Sequence, residues 1–267
     1  MPEESIVDTS RPNAGRIYDF LLGGSHNFEV DRKAAEQLLA LLPFSEKFVR
    51  LQRWALQDLA IELTEQRGFD VIIDFASGLP TNDNLHHVVP SGTTVIYSDY
   101  DPVVVEYAHE ILKDTPNVYF FHSDARKPED LLNRPEVLQI LKGRRDVALI
   151  TWGVSTFLAD NDLAYIAQAF YQWADPRSCW AYNAQAVDGD PNDPSVMAVM
   201  NIYKQMGTPV HARSLSRTLE LLQPWHADSN GFIPLLKWHG FDQSELSREE
   251  APAFGPMGGG YGAYLVK

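Results

Sequence analysis

Two short stretches with the same pattern constrain the fold of this chain most. Residues 71–74 and 95–98 are apolar runs of strand length, and each leads through an acidic residue, Asp74 or Asp99, into turn-forming residues. Further apolar runs alternate with amphipathic stretches of helix length, such as 102–113. This alternation predicts βαβ units and a parallel sheet with right-handed crossovers. The predicted strands are 71–74, 95–98, 118–122, 147–151 and 178–186, closed by an antiparallel pair at 233–238 and 261–266.

The segment before the first strand is helical in character. After a polar tail, apolar residues recur at helical spacing in three stretches, the first of which ends at Gly23 and Gly24 and the second at Pro43. The third stretch covers 47–67, and Gly68 is a natural C-cap. The predicted parts are an N-terminal helical segment at 1–68 and an α/β domain at 69–267, with a helical insertion at about 188–230.

Composition limits the possible partners and the compartment. The 267 residues carry a formal net charge of -14, and this balance disfavours nucleic-acid binding, which needs clustered Lys and Arg. Cys179 is the single cysteine, so no internal disulfide can form. The first residues contain no apolar core of the signal-peptide kind, and no stretch approaches the roughly 20 apolar residues of a membrane helix. We therefore expect a cytoplasmic protein that is not bound to a membrane.

The turn after the first predicted strand has the pattern Asp74-x-Ala76-x-Gly78-x-Pro80. Ligands of open α/β sheets bind beyond the carboxyl ends of strands, and small residues there allow close approach of the backbone. The pattern differs from the GxGxxG of a dinucleotide site, because two of its glycines are missing. It favours a compact ligand without a diphosphate. An ordinary tight turn is the alternative.

Three further groups of residues follow predicted strands. Asp99 is placed to bind two ribose hydroxyls, whereas Asp101 precedes Pro102 and is typical of a helix N-cap. Asp124 could accept a hydrogen bond from an adenine amino group while the Ala125 amide reaches a ring nitrogen, or Asp124 could cap a helix. Trp152 and Gly153 follow the fourth predicted strand and line the same edge of the sheet. The indole of Trp152 either stacks on a ligand or belongs to the core.

Other chemistries find no support in the sequence. The eight histidines form no metal-binding spacing, and one cysteine excludes a cysteine-rich zinc cluster. There is no P-loop and no GxSxG motif. A divalent metal held by Asp99 and Asp101 is a minor alternative, since no second acidic ligand set is evident. We predict no metal site.

Taken together, these residues resemble the class I S-adenosylmethionine-dependent methyltransferases. More narrowly, the chain is similar to the S-adenosyl methyltransferase family, long catalogued as a domain of unknown function. That family combines an N-terminal Y-D-x-L-L-G-G-x-x-N-F-x-x-D-R segment with a G-L-P-T turn. Here the two motifs are Tyr18-Asp19-Phe20-Leu21-Leu22-Gly23-Gly24-Ser25-His26-Asn27-Phe28-Glu29-Val30-Asp31-Arg32 and Gly78-Leu79-Pro80-Thr81.

The resemblance implies a Rossmann-like α/β fold with a mostly parallel seven-stranded sheet, helices on both faces and an N-terminal helical lid. It implies S-adenosylmethionine as cofactor and S-adenosylhomocysteine as product. The methionine end would lie on the first turn, the ribose on Asp99, the adenine between Asp124 and Ala125, and the N-terminal segment would close over them. The predicted cofactor-binding residues are Tyr18, Gly23, Gly24, Asn27, Asp74, Ala76, Ser77, Gly78, Thr81, Asp99, Tyr100, Asp124, Ala125, Trp152 and Gly153.

Two positions depart from the family pattern. Ala76 stands where members commonly have glycine, and its side chain narrows the predicted cofactor pocket. Ser155-Thr156-Phe157 replaces a Leu-His-Phe found in many members, so no histidine can be assigned as a base there. We predict SN2 methyl transfer to an unidentified small molecule, without assigning a catalytic residue or an oligomeric state. The acceptor residues are expected from the N-terminal helices and the insertion, which supplies Tyr203, His211, Arg213, Trp225 and His226. For each of these five, an ordinary surface or core residue is the alternative.

Two alternative functions use the same residues. The first is a non-catalytic protein that binds or senses S-adenosylmethionine or another nucleoside. The second is an NAD(P)-dependent oxidoreductase, against which the missing glycines count.

Overall fold

A computed structural model describes residues 10–81, 83–185, 194–238, 240, 247–248, 254 and 260–267. Within these residues one sheet has helices on both faces, as the alternation of strands and helices predicts. Its strands are β1 Val71–Phe75, β2 Thr94–Asp99, β3 Val118–His122, β4 Ala148–Thr151, β5 Cys179–Ala184, β6 His226–Ala227, β7 Ile233–Pro234 and β8 Tyr261–Val266.

The strand order is β3-β2-β1-β4-β5-β8-β6, and β7 pairs with β8. Strands β1 to β5 are parallel, whereas β8 runs antiparallel to β5, β6 and β7. The strands that follow β1 and β3 in sequence therefore lie on opposite sides of β1. This reversal is the topological switch point at which open α/β sheets bind ligands. The Rossmann-like, mostly parallel architecture is confirmed.

The predicted strand at 233–238 and the predicted count of seven strands are wrong. Only Ile233–Pro234 pairs with β8, and Leu235–Trp238 forms a short helix, α10. Pro234 has no N–H with which to continue a strand ladder. The helical turn instead buries Leu235 and Leu236 against the hydrophobic cluster on one sheet face. The short strand β6 was not predicted, and it brings the described strands to eight.

Three helices precede the sheet, as expected: α1 Ala14–Leu21, α2 Glu29–Leu41 and α3 Ser45–Ile61, which continues as a π-helical turn at Glu62–Gln66. The helices that follow β2, β3 and β4 are α4 Pro102–Ile111, α5 Pro128–Leu132, α6 Pro135–Leu141 and α7 Asp160–Trp173. The expected insertion contains α8 Pro194–Gln205 and α9 Leu215–Leu221. Residues 188–193 of the insertion lie outside the described residues. Among the described residues, no helix is both long and apolar enough to cross a bilayer.

The hydrophobic core has a layer on each face of the sheet. Val71, Ile73 and Phe75 belong to one layer, and Ile72 belongs to the other, because alternate residues of a strand point to opposite faces. Helix α3 contributes to the second layer through side chains such as Leu59. The division of the chain at residue 68 therefore crosses a shared hydrophobic layer, and it stays a prediction.

A third, smaller cluster joins the N-terminal helices to the insertion. Helices α1 and α2 bury Ile17 and Leu38 in it. Val199, Tyr203 and Met206 of α8 pack against this cluster. The insertion thus lies beside the N-terminal helices, and a common acceptor site between them stays a prediction.

Candidate functional site

A buried acid, Asp74, is the last residue but one of β1 and directly precedes the end of the strand. Asp74 is 2 % exposed, and burial raises the pKa of its carboxyl to about 8, a rise that the charge of Arg53 opposes. Ala76 and Gly78 both adopt left-handed backbone conformations, with φ of 54° and 66°. Such a φ is common for glycine and costly for alanine. The turn therefore bends sharply at the switch point, and it does so with a residue that is strained there.

Asp99 ends β2 beside this turn and is held by the backbone. Its Oδ2 accepts the Gly78 N–H at 3.1 Å, and its Oδ1 accepts the Asp101 N–H at 2.9 Å. Burial raises the pKa of Asp99 to about 6, while these N–H donors lower it. Two carboxylate oxygens retain further acceptor capacity in this arrangement. The predicted ribose acid and the predicted glycine turn are thus in direct contact.

Asp101 has the capping role that the Asp-Pro pair predicts. Its Oδ1 accepts the Val103 N–H at 2.9 Å at the start of α4. Its Oδ2 accepts from Arg16 Nη1 at 2.9 Å, and Arg16 Nε donates to Asp31 Oδ2 at the same distance. All three charged side chains are buried. This bridge, which the sequence analysis missed, fixes α1 and α2 to the start of α4.

The N-terminal motif is organised around Asp19. The Asp19 Oδ2 accepts from the His26 N–H and from Asn27 Nδ2, both at 2.9 Å. A Cβ on Gly24 would lie 2.1 Å from Asp19 Oδ1, so only glycine fits there. Gly23 turns the chain with a φ of 84°. Gly23, Gly24 and Asn27 therefore shape the segment itself, and their contact with a cofactor stays a prediction.

Tyr18 of this motif contacts Arg53, a residue that the sequence analysis missed. Its hydroxyl donates to the Val49 carbonyl at 3.2 Å, and its ring lies 5.4 Å from the guanidinium carbon of Arg53. Burial raises the pKa of Tyr18. Arg53 is only 4 % exposed on α3, a helix whose other buried residues are mostly apolar. A charged residue on the apolar side of a helix is the signal by which it could have been found.

The residues predicted to border the adenine already bind one another. Asp124 forms a fork with Arg126, with 2.6 Å between Oδ2 and Nη2, and this pairing lowers the Asp124 pKa against the effect of burial. Asp124 does not cap a helix, because α5 follows Lys127 as its N-cap residue. Ala125 is buried, and Tyr100 is 47 % exposed. Thr81, on the other side of the turn, donates to Asp83 Oδ1 at 3.2 Å.

Trp152 and Gly153 follow β4 and contact α3. Trp152 Nε1 donates to the Gln52 carbonyl at 2.9 Å, and its ring lies 5.7 Å from that of Trp238. A Cβ on Gly153 would lie 3.6 Å from Gln52 Oε1. Trp152 is thus packed within the second core layer. Whether these residues also contact a cofactor stays a prediction.

The structure places three of the five expected acceptor residues against the loop after β4 and the other two elsewhere. Arg213 is buried and donates to Asp160 Oδ1 at 2.7 Å and to carbonyls of the loop after β4, and the His211 N–H donates to the Thr156 carbonyl. Tyr203 contacts the ring of Phe157 in the same loop. The expectation is wrong for the remaining two. Trp225 belongs to the hydrophobic core, where its Nε1 donates to the Ala167 carbonyl. His226 pairs with Val266 in the sheet, near the amino ends of the parallel strands.

A comparison of the sequence with protein-family models identifies the chain. The model of the S-adenosyl methyltransferase family matches residues 1–261. The chain belongs to the S-adenosyl methyltransferase family. Its activity class is therefore S-adenosylmethionine-dependent methyl transfer, with S-adenosylmethionine as cofactor. This membership argues against the NAD(P)-dependent oxidoreductase alternative.

Solved structures show the same fold. A candidate methyltransferase from Thermobifida fusca is 26% identical, with a TM-score of 0.84 over 97% of this chain and 96% of that one. A DUF574 family protein from Streptomyces avermitilis is 23% identical, with a TM-score of 0.82 over 97% and 99%. Mitomycin 7-O-methyltransferase MmcR is 14% identical, with a TM-score of 0.51 over 93% and 62%, a likeness of fold alone. No curated protein matches the chain.

Proposed function

We propose that this S-adenosyl methyltransferase family member transfers a methyl group to a small-molecule acceptor by direct SN2 displacement. The observation that supports the proposal most is the contact between Asp99 and the turn after β1. Two backbone N–H groups orient the Asp99 carboxylate, and the turn beside it presents small residues to a ligand. Such an acid at a switch point suits the adjacent hydroxyls of one ribose.

Each part of the cofactor has a proposed set of residues. Asp74, Ala76, Ser77 and Gly78 would surround the methionine end, with Thr81 beside them. Asp99 and Tyr100 would border the ribose, and Asp124 and Ala125 the adenine. The lid would consist of Tyr18, Gly23, Gly24 and Asn27, and Trp152 with Gly153 would complete the edge after β4.

When bound, S-adenosylmethionine supplies a methyl group already activated by its sulfonium. The residues of the chain therefore have to align the acceptor and exclude water, and an acceptor that is already nucleophilic requires no general base. We place the acceptor between the N-terminal helices and the loop after β4. The third hydrophobic cluster joins α8 to α1 and α2 there, and Arg213 ties the insertion to that loop.

Calorimetric titration with S-adenosylhomocysteine tests the cofactor site. We expect wild-type protein to bind, and Asp99→Ala to lose about 100-fold or more in affinity, since hydrogen bonds to a charged group are worth about 1.5–3 kcal/mol each. Asp114→Ala is the matched control, because Asp114 is an exposed acid near the end of α4. Equal affinity of Asp99→Ala and wild type would contradict the proposed ribose site.

The acceptor requires a separate measurement. Release of S-adenosylhomocysteine across a panel of small hydroxyl, amine and thiol compounds would identify its class. Tight cofactor binding without product from any compound would favour the alternative of a non-catalytic binding or sensing protein.

The proposal also includes location and partners. A cytoplasmic location remains our expectation from composition, and the net charge of -14 continues to disfavour nucleic acid as a partner.

A further inference from the structure

The most unusual polar side chain near the site is that of Arg53. It is 4 % exposed, and its Nε and Nη1 have no hydrogen-bond acceptor within the described part of the chain. A buried guanidinium with unpaired N–H groups carries a large desolvation cost. Burial of Arg53 therefore lowers stability, and a buried polar group left unpaired in this way is a candidate for binding a ligand.

The groups around Arg53 do not supply a hydrogen-bonded counter-ion. Asp83 Oδ1 is 4.0 Å from its Nε, and the Asp83 side chain is 48% exposed. Asp74 is close enough for the two charges to interact, but burial raises its pKa to about 8, so it is largely protonated at neutral pH. The third neighbour is the aromatic face of Tyr18. Arg53 thus has a surplus of hydrogen-bond donors, because the Asp83 carboxylate approaches only to 4.0 Å and no acceptor among the described residues binds Nε or Nη1.

A carboxylate matches this surplus in both charge and shape. The guanidinium presents parallel N–H groups that bind a carboxylate through two hydrogen bonds. Arg53 is near both Asp74 of β1 and Tyr18 of the lid motif, two residues of the proposed cofactor site. The guanidinium carbon lies 5.4 Å from the centre of the Tyr18 ring, and the side chain is buried.

We propose that Arg53 binds the α-carboxylate of the methionyl part of S-adenosylmethionine, and that it selects ligands that carry this group. The inference rests on the proposed function, because it uses the same cofactor site. It adds a residue of α3 to the site. The carboxylate of an acceptor is the other source of the same chemistry.

The test compares two ligands that differ by this carboxylate, S-adenosylhomocysteine and its decarboxylated amine analogue. Calorimetry with wild-type protein should show about 10- to 100-fold tighter binding of the first. Arg53→Gln should reduce this ratio to about 3-fold or less, mainly by weakening S-adenosylhomocysteine. Arg50→Gln is the matched control, since Arg50 is an exposed arginine on the same helix, and it should keep the wild-type ratio.

The outcomes separate the inference from the function. If wild-type protein binds neither ligand, the proposed function fails. If it binds both equally, or if Arg53→Gln keeps the wild-type ratio, Arg53 does not read this carboxylate and the inference is overturned. An unchanged ratio is also the result expected if Arg53 binds a carboxylate on the acceptor. If Arg53→Gln fails to fold, Arg53→Lys decides, because its shorter, single-point donor should lower the ratio while keeping the charge.

Discussion

The two ends of the proposed cofactor site, one for the ribose and one for the methionine, are built in opposite ways. At the ribose end, Asp99 is held by two backbone N–H groups, and its neighbour Asp101 is bound by Arg16. At the methionine end, Asp74 is buried with a strongly raised pKa, and Arg53 has two N–H groups without acceptors among the described residues. The ribose end is preorganised by the fold, whereas the methionine end keeps buried donors that we propose a ligand carboxylate satisfies.

The largest effect should come from the bridge that supports the ribose end. Arg16→Met leaves Asp31 and Asp101 as buried, uncompensated charges, and breaking a buried ion pair in this way costs about 3–5 kcal/mol. Urea unfolding should show a loss of that size in the free energy of unfolding. Arg177→Met is the control, because Arg177 forms exposed ion pairs and its loss should cost less than about 1 kcal/mol. Similar losses in both variants would show that burial does not distinguish the two bridges.

The ribose end should also make cofactor binding depend on pH. Only ionised Asp99 can accept both ribose hydroxyls, and its pKa is raised to about 6. About one tenth of the sites are ionised at pH 5, so S-adenosylhomocysteine should bind about tenfold more weakly there than at pH 7. Asp99→Asn should bind weakly but equally at both pH values. A flat wild-type profile would contradict the assignment of Asp99.

At the proposed methionine end, Asp74 should lower the free energy of unfolding at high pH while it contributes to cofactor binding. Asp74 binds its proton more tightly in the folded state, so its contribution to stability is present below about pH 4 and is lost as pH rises through about 8. Asp74→Asn should therefore raise the free energy of unfolding at pH 9 by about 1–3 kcal/mol and change it less at pH 5. The same variant should weaken S-adenosylhomocysteine. Thermal unfolding at the two pH values tests the sign, and an Asp74→Asn variant less stable at pH 9 would contradict it.

The turn between the two ends should give the smallest effect. Ala76 adopts a φ of 54°, a conformation that costs a non-glycine residue about 1 kcal/mol. Ala76→Gly should thus be neutral to stabilising by up to about 1 kcal/mol. Ala40→Gly, at an exposed position of α2, should instead destabilise by about 0.5–1 kcal/mol. Equal losses in the two variants would show that the turn is not strained.

Much of the fold could be predicted from the sequence because its pattern is local. The starts and ends of the first five strands follow the apolar runs closely, and Asp101 next to Pro102 caps α4 as expected. The contact between Asp99 and Gly78 follows once two neighbouring parallel strands end at the same edge. The strand at 233–238 failed because burial of Leu235 and Leu236 favours a helical turn over an extended strand.

The unpredicted parts of the site depend on distant contacts. Arg16 meets Asp101 across 85 positions, and Arg53 of α3 contacts the ring of Tyr18 in α1. Neither contact follows from local spacing. The pairing of Asp124 with Arg126 is local, and its i, i+2 spacing could have been noticed.

The Arg16 bridge also has a consequence for the rate of ligand exchange. Because Arg16 anchors α1 to the start of α4, the N-terminal segment cannot swing away as a unit without separating buried charges. If this segment is the proposed lid, its motion would be confined to the turn that contains Gly23 and Gly24, because Arg16 of α1 also binds Asp31 of α2. Ligand entry and release would then require the motion of only a few residues. Ligand exchange would stay fast while the N-terminal helices remain docked.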